Sequence, residues 1–553
     1  MAEKEEIPVL ILDDERLVRL TLTAWLRPTK FKPTVVGTAA EAMEAMKQSR
    51  FQAIVSDVMM EGMGGFMFRD YVRTVDRHVP VIFLTALVND ADNSFMRKVM
   101  ADLNSYYVPK TAPKEYLIGK LDQVVSAYIA ETSVARMKEH LDKSLDLANI
   151  VQRSMLPPWT RDAGRYFYSA FLQPLDRVGG DVFHYCPIGK DAALLILGDI
   201  SGHGISSALA MTAIQVYFSH FSTLSDREAR NVVGLAREID AFILEHLKNV
   251  AYMPATIIYY DSATNLIRYL NAGNPEPLAF RRGDGSEIAL NPDRRGATPL
   301  GFIPTGAFTD DDVVEMTLPD DALVVVGTDG VVDLTADEAG EEHIDDATIK
   351  DVLSALVADD RDCVSAMPQR LLATLDSLGY DHHQDDMTVM IFGRKRPQEM
   401  ARNFAVPMNP AAIDEVVQQC GEFVREKKPE CAEVSVKIEL LLNEHLMNVH
   451  DHAMDEFSRR HEPSIVRIAL SDDYATVSCW DNGKSWTGPK DIRDRSSEKF
   501  DLQNETMNNH GRGEAIMRTI VARISRQRFY NLNQNIFYIP LKPTQEGMGG
   551  GIN

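Results

Sequence analysis

The chain has 553 residues, 45% hydrophobic and 25% charged, with a formal net charge of −23. That length exceeds what one hydrophobic core supports and predicts three or four domains. The acidic balance opposes approach to a polyphosphate backbone, which excludes direct nucleic-acid binding as a first reading, whereas acidic side chains suit divalent-cation sites.

No apolar run reaches the roughly 18 residues of a membrane span, and the first seven residues carry no cationic segment ahead of an apolar stretch. The expectation is a cytoplasmic protein without membrane contact. Cys186, Cys363, Cys420, Cys431 and Cys479 never form a Cys-x-x-Cys pair, which predicts buried, reduced thiols.

Over residues 1–125, short apolar strands such as Val9–Leu12, Ala53–Ser56 and Val81–Leu84 alternate with helix-length segments. That alternation predicts a flavodoxin-like, doubly wound parallel sheet wrapped by helices. Asp13 and Asp14 follow the first strand, Asp57 the third, Thr85 the fourth and Lys110 the fifth, so all converge on the carboxyl edge of the sheet. Three clustered carboxylates need a cation. Mg²⁺ would hold Asp13, Asp14 and Asp57, with Lys110 offering a point charge and Thr85 a hydroxyl to a phosphoryl group on Asp57. The arrangement closely resembles the response-regulator receiver family. That resemblance implies phosphorylation of Asp57 by a cognate histidine kinase and a switch pair of Thr85 and Tyr107. Glu61, Gly64 and Thr111 depart from the residues common in that family.

Over residues 126–160, Val134, Met137, Leu141, Ser144, Ala148, Val151 and Met155 recur at three- and four-residue steps until Pro157-Pro158. The spacing predicts a coiled-coil signalling helix and a homodimer, or a single amphipathic helix lying on a domain.

Residues 161–396 read as an α/β domain with aspartates at strand ends: Gly179-Gly180-Asp181, Gly198-Asp199-Ile200-Ser201-Gly202-His203-Gly204, Thr328-Asp329-Gly330 and Asp385-Asp386-Met387-Thr388. Carboxylates gathered in this way can bind two hard cations that activate a bridging water for in-line attack on a phosphate. The pattern resembles the PPM family of metal-dependent serine/threonine phosphatases, an α/β sandwich, in its SpoIIE and RsbU branch. Residues Ala148 to Pro157 match that branch's regulatory helix. The resemblance implies that two Mn²⁺ or Mg²⁺ ions bind Asp181 and Asp199, with the Ile200 carbonyl, Asp329 and either Asp385 or Asp386 completing the set. His203 is a candidate acid or phosphate contact, or an exposed turn residue.

Arg394 to Pro397 reads as a linker into a further α/β unit over residues 397–545. Glu444 and Asn448 lie one helical turn apart, followed by Asp481-Asn482-Gly483 and Gly511-Arg512-Gly513. An acid beside an amide suits a hydroxyl-activating base next to a Mg²⁺ ligand. Asp481 can receive the adenine amino group, and a glycine turn, with Gly483, can cradle phosphates. ATP is the implied ligand. These residues resemble the GHKL ATPase fold, most nearly its anti-sigma-factor serine-kinase branch, with residues 484–510 as the ATP lid. Glu514 departs from the apolar residue common there.

Together the resemblances imply a bifunctional regulator. Phosphatase and kinase domains would act oppositely on a STAS-type anti-sigma-factor antagonist in a partner-switching pathway. The alternative is a noncatalytic C-terminal module that sequesters the antagonist or a sigma factor.

Overall fold

The computed structural model describes residues 6–86, 94–202, 204–247, 251–293, 295–303, 308–337, 340, 342–359, 364–396, 398–485, 491–492 and 519–541. It divides into two compact units, Met1–Ser144 and Leu145–Asn553.

In the first unit, β1 (Ile7–Leu12), β2 (Phe31–Val36), β3 (Ala53–Asp57), β4 (Val81–Thr85) and β5 (Ser105–Pro109) form a parallel sheet ordered β2-β1-β3-β4-β5. β3 and β4 are buried along their whole length, as strands covered on both faces must be. Val9, Ile11 and Val55 face one helical layer, and Leu10, Leu12 and Ile54 face the other.

The helix that closes this unit is longer than the sequence pattern predicts. It starts at Lys114 and runs unbroken to Met155. Leu117, Leu121, Val124 and Val125 pack into the receiver core. No glycine, proline or cap separates that stripe from the heptad seam that follows, so nothing stops helix propagation at residue 125. Val134, Met137 and Leu141 of the seam are exposed in the single chain.

In the second unit, β6 (Thr160–Ala163) and β7 (Tyr166–Gln173) open a sandwich, followed by β8 (Val182–Ile188), β9 (Ala192–Gly198), β10 (Ala255–Asp261), β11 (Leu266–Ala272), β12 (Leu278–Arg281), β13 (Val313–Thr317), β14 (Ala322–Gly327) and β15 (Met387–Arg394). Two five-stranded sheets result, ordered β13-β11-β10-β9-β8 and β12-β14-β15-β7-β6. Tyr168, Phe183, Leu195, Val324 and Phe392 fill the space between them. Helices Ile205–Phe218 and Val232–His246 cover one outer face, and Asp346–Ala358 and Met367–Ser377 the other. The alternating faces of each strand therefore bury two layers at once, which explains their near-continuous apolar runs.

The same unit ends in an antiparallel sheet of β16 (Ala401–Val406), β17 (Ser464–Leu470), β18 (Tyr474–Asp481), β19 (Asp491–Ile492), β20 (Arg523–Phe529) and β21 (Leu532–Pro540), ordered β16-β17-β18-β21-β20-β19. Helices Pro410–Lys427 and Ala432–Asn448 cover one face through Val417, Phe423, Ile438 and Leu442. On the opposite face Ile465, Trp480 and Leu532 form a buried cluster with Trp159 and Ala366 of the sandwich. Trp159 donates its indole N–H to the Pro463 carbonyl at 3.0 Å. The Tyr530 hydroxyl donates to Asp376 at 2.8 Å, and its ring packs against Phe171.

Cys186, Cys420 and Cys479 are buried free thiols, and Cys431 is half-buried. Cys363 lies outside the described residues. Among those residues no helix is long and apolar enough to cross a membrane.

Candidate functional site

Three separate sites emerge. In the first unit, parallel strands end together, so β1, β3 and β5 deliver Asp13, Asp14, Asp57 and Lys110 to one edge. One carboxylate oxygen from each of Asp13, Asp14 and Asp57 lies within 4.8 Å of the others. Burial pushes the Asp13 carboxyl above its usual range, against the backbone N–H of Glu15 and the Lys110 ammonium, which favour its charge. The Lys110 ammonium sits 2.7 Å from Asp57 and 3.2 Å from Asp13. Burial works against that ammonium, yet the two carboxylates raise its pKa overall. Thr85 is buried at the end of β4, and Tyr107 is partly exposed on β5. Glu61 donates its backbone N–H to Asp14 at 3.3 Å. A cation fits this donor set of hard carboxylate oxygens.

In the sandwich, Asp181 precedes β8, Asp199 follows β9, Asp329 lies just beyond β14, and Asp385 and Asp386 precede β15. Burial first, and then Asp199 and Asp386, hold the Asp181 carboxyl well above the usual range. Asp199 is pushed up to about 7 by burial and then by Asp329, Asp385 and Asp386. Asp329 is raised by burial and by Asp385. Asp181, Asp199, Asp329 and Asp386 thus carry raised carboxyls, each through burial and at least one neighbouring aspartate. Asp181 Oδ1 and Asp329 Oδ1 are buried with no hydrogen-bond partner among the described residues. Orphaned buried anionic oxygens mark a place for cations.

The remaining contacts assign different tasks to the aspartates. Asp181 Oδ2 accepts from the Thr328 hydroxyl at 2.9 Å and the Thr388 hydroxyl at 2.6 Å, which leaves Oδ1 open. Asp386 accepts the backbone N–H of Leu175 at 2.7 Å through Oδ1 and that of Gly180 at 2.5 Å through Oδ2. Its carboxylate is therefore engaged in shaping the loop before Asp181. Asp385 accepts the Asp386 N–H at 2.8 Å and acts electrostatically on Asp199 and Asp329. Gly179 and Gly180 make the close approach possible: a Cβ at 179 would lie 2.5 Å from Asp386 Oδ2, and one at 180 would lie 2.7 Å from the Ile200 carbonyl.

Sequence reasoning missed the tasks of Thr328, Thr388 and Gln152. Both threonines stand inside the quoted motifs, but only the fold shows them converging on Asp181. Gln152 is buried, donating to the Gly179 and Ala208 carbonyls at 3.0 and 3.1 Å while its Oε1 faces the Gly179 N–H. The next residue, Arg153, pairs at 3.1 Å with Glu462, which belongs to the C-terminal sheet domain. His203 lies outside the described residues.

In the C-terminal domain, the helix Ala432–Asn448 carries Glu444 and Asn448 on one side, and the Asn448 amide donates to Glu444 at 3.3 Å. Asp481 is buried at the end of β18, where it accepts from the Gly483 N–H at 3.0 Å and the Asn533 amide at 2.8 Å. Burial raises its carboxyl, and these donors restrain the shift. Gly511, Gly513, Glu514 and most of the expected lid, residues 484–510, lie outside the described residues. Asp481 and Gly483 meet in one turn, a small polar floor that suits a purine amino group.

Comparison with known proteins matches a domain to each of the three regions that carry these residues. The response regulator receiver domain matches residues 9–122, the Stage II sporulation protein E domain residues 189–395, and the histidine kinase-like ATPase domain residues 406–536. The chain is therefore an α/β protein that joins a receiver, a SpoIIE-type domain of the PPM phosphatase class and a GHKL-type ATPase domain.

Among individual proteins, it is 25% identical over 252 residues to phosphoserine phosphatase RsbP of Bacillus subtilis, covering 45% of this chain and 57% of RsbP. It is 30% identical over 107 residues to the DNA-binding response regulator MtrA of Mycobacterium tuberculosis, covering 19% of this chain and 46% of MtrA. The chain thus spans only about half of each of these relatives. It is also similar to the crystal structure of the RsbU and RsbW domains of Rv1364c from Mycobacterium tuberculosis, with 19% identity, 69% of this chain, 95% of that one and a TM-score of 0.37. For the SiaA-PP2C domain of Pseudomonas aeruginosa the values are 21%, 47%, 100% and 0.38.

The two hydroxyls on Asp181 yield a direct test. Thr388→Val keeps the shape but removes the shorter of them, and groups that orient a metal ligand typically contribute 10–100-fold in metal affinity. The Mn²⁺ concentration for half-maximal phosphatase activity should rise by about 10-fold or more with the melting temperature nearly unchanged. An unchanged metal requirement would sink this role for Thr388.

Proposed function

We propose that the protein is a receiver-controlled, metal-dependent protein serine/threonine phosphatase whose C-terminal domain is an ATP-dependent serine kinase. Both act on a STAS-type anti-sigma-factor antagonist, in opposite directions. The observation that carries the reading is the cluster of Asp181, Asp199 and Asp329 beside Asp385, with the first three carboxyls raised and the Asp181 and Asp329 Oδ1 atoms buried and open.

Asp181, Asp199, Asp329 and Asp385 would hold two Mn²⁺ or Mg²⁺ ions, with the Ile200 carbonyl at hand. Asp386 is the residue that braces the loop. Bound divalent ions supply a water activated at neutral pH and neutralise the charge on the phosphoryl oxygens. The chain's own residues do the positioning: Thr328 and Thr388 aim Asp181, and Gln152 fixes the Gly179 end of the same loop. No side-chain nucleophile is needed.

The kinase reading is supported by the contact of Glu444 with Asn448: Glu444 would deprotonate a serine hydroxyl beside a Mg²⁺ ligand at Asn448, with Asp481 for adenine. The receiver would take its phosphoryl group from a histidine kinase on Asp57. Homodimerisation through the exposed seam of Val134, Met137 and Leu141 would carry the signal along the helix Lys114–Met155 to Gln152.

Three outcomes are expected. Asp199→Asn should lower Mn²⁺-dependent dephosphorylation of a serine-phosphorylated STAS protein by more than about 100-fold, beyond the effect of a residue that merely orients a ligand. Full turnover in a folded mutant would refute the assignment. In a radiolabelled-ATP assay, Glu444→Ala should retain ATP binding yet lose about 10²–10⁴-fold in phosphate transfer. Undiminished transfer would leave the domain with another base. Finally, beryllofluoride should raise the phosphatase rate of the wild type and leave Asp57→Asn unaffected. An equal response of both would disconnect the receiver from the output.

A further inference from the structure

A cleft of about 1490 Å³ runs along the β16 edge of the C-terminal sheet, between that edge, the helix Pro410–Lys427 and one end of the phosphatase sandwich. It is remote from the phosphatase carboxylates. Asp386 directly precedes β15, whereas Arg394, the last residue of β15, lines the cleft, so a full strand of about 25 Å intervenes. It also differs from the ATP site, because Glu444, Asn448 and Asp481 are absent from its walls.

The electrostatics of this cleft invert those of the chain. Overall there are 58 Lys and Arg against 81 Asp and Glu. In the cleft wall there are nine Lys and Arg against four Asp and Glu, and seven of the nine are arginines. Both domains contribute, so folding gathers cations that are scattered from residue 165 to residue 467. Part of the charge is met locally: Arg281 pairs with Asp321 at 3.0 Å, Arg394 with Asp320 and Lys395 with Asp162.

Arg467 is different. It is 9% exposed, and among the described residues its guanidinium donates only to neutral amide oxygens, Gln398 at 2.6 Å and Asn403 at 3.1 Å. Its Nε–H has no partner among the described residues. A buried guanidinium held by amides, with one donor open, has no counter-ion among the described residues. Across the cleft, burial and then the charge of Arg402 depress the Lys395 ammonium to about 8. Arg402 itself lies exposed over the Phe404 ring at 5.0 Å.

We propose that this interdomain cleft is a binding site for an oligophosphate, a small molecule carrying several phosphoryl groups. Arginine forks match phosphate oxygens in pairs, and a buried, preset guanidinium loses little entropy in doing so. The remote acidic surface does not cancel the local field, because charges more than about 8 Å apart through solvent are screened at physiological salt. The same acidic surface does repel a long polynucleotide, which extends beyond the cleft. The cleft walls offer cations rather than apolar pockets, which favours a phosphate chain over a peptide anchor. The phosphate chain would wrap the β16 edge, from Arg467 on one face of the sheet to Arg402 on the other, and meet the sandwich side at Arg394 and Lys395, holding the two domains at one spacing.

The test uses the full chain in EDTA, so that neither the carboxylate cluster nor the Mg²⁺-dependent nucleotide site draws the probe. Inorganic tripolyphosphate is titrated calorimetrically into wild type, Arg467→Gln, exposed-site Arg402→Gln, and Lys143→Gln as a charge-matched control on the long helix. Saturable binding to the wild type is expected, weakened at least 10-fold in Arg402→Gln and Arg467→Gln, unchanged in Lys143→Gln, and falling with added salt. A parallel titration with adenosine 5′-tetraphosphate separates the sources. Equal affinity identifies the phosphate chain alone as the ligand, and a gain of more than 10-fold that the cleft variants abolish identifies a nucleotide. Absence of saturable binding, or binding that Arg402→Gln leaves intact, overturns the proposal. Because Arg402 is exposed, loss of fold does not confound that variant.

Discussion

Repulsion between buried carboxylates is the constraint around which this chain is organised. Asp181, Asp199, Asp329, Asp385 and Asp386 approach one another only because β-strands and their loops deliver them from four distant stretches of sequence. The structure answers their repulsion in two ways. Some oxygens are satisfied by neutral donors, namely the Thr328 and Thr388 hydroxyls and the Leu175 and Gly180 amides. Others are left open, and an open buried anion is tolerable only where a cation can come. The receiver solves a smaller version of the same problem with a protein cation, Lys110, lying between Asp13 and Asp57.

Much of this was legible because it depends on order along the chain. A run such as Val9–Leu12 followed directly by Asp13-Asp14 places acids at a strand end whichever helices surround it, and parallel winding then brings Asp57 and Lys110 to the same edge. The four aspartate motifs of the sandwich were legible for the same reason. The difference between Asp385 and Asp386 was not, since adjacent identical residues are separated only by which way the backbone turns. Two amide donors from the loop at 175–180 engage Asp386 and not Asp385.

The helix Lys114–Met155 shows another limit. Its core-facing stripe and its heptad seam are each readable, but their fusion depends on the absence of any stop signal, which is weak evidence when seen from sequence alone. Arg467 is invisible for a third reason. In the strand Ser464–Leu470 it occupies the face that alternates away from the helices, where a charged residue normally means solvent. Only the neighbouring domain turns that face into an interior.

The junction around Gln152, Arg153 and Trp159 bears on how such proteins can be assembled by recombination. The linker near residue 396 looks like the natural place to exchange one C-terminal domain for another. Yet Trp159 and its acceptor Pro463 are 304 positions apart, and Arg153 and Glu462 are 309 apart, so part of the seat for the ATPase domain is encoded ahead of the phosphatase. A transplant cut at the linker leaves that seat behind and exposes Trp480 and Ile465. Exchange of the C-terminal domain with its seat kept intact therefore calls for matching changes at two remote stretches of the gene, around residues 153–159 and 462–463.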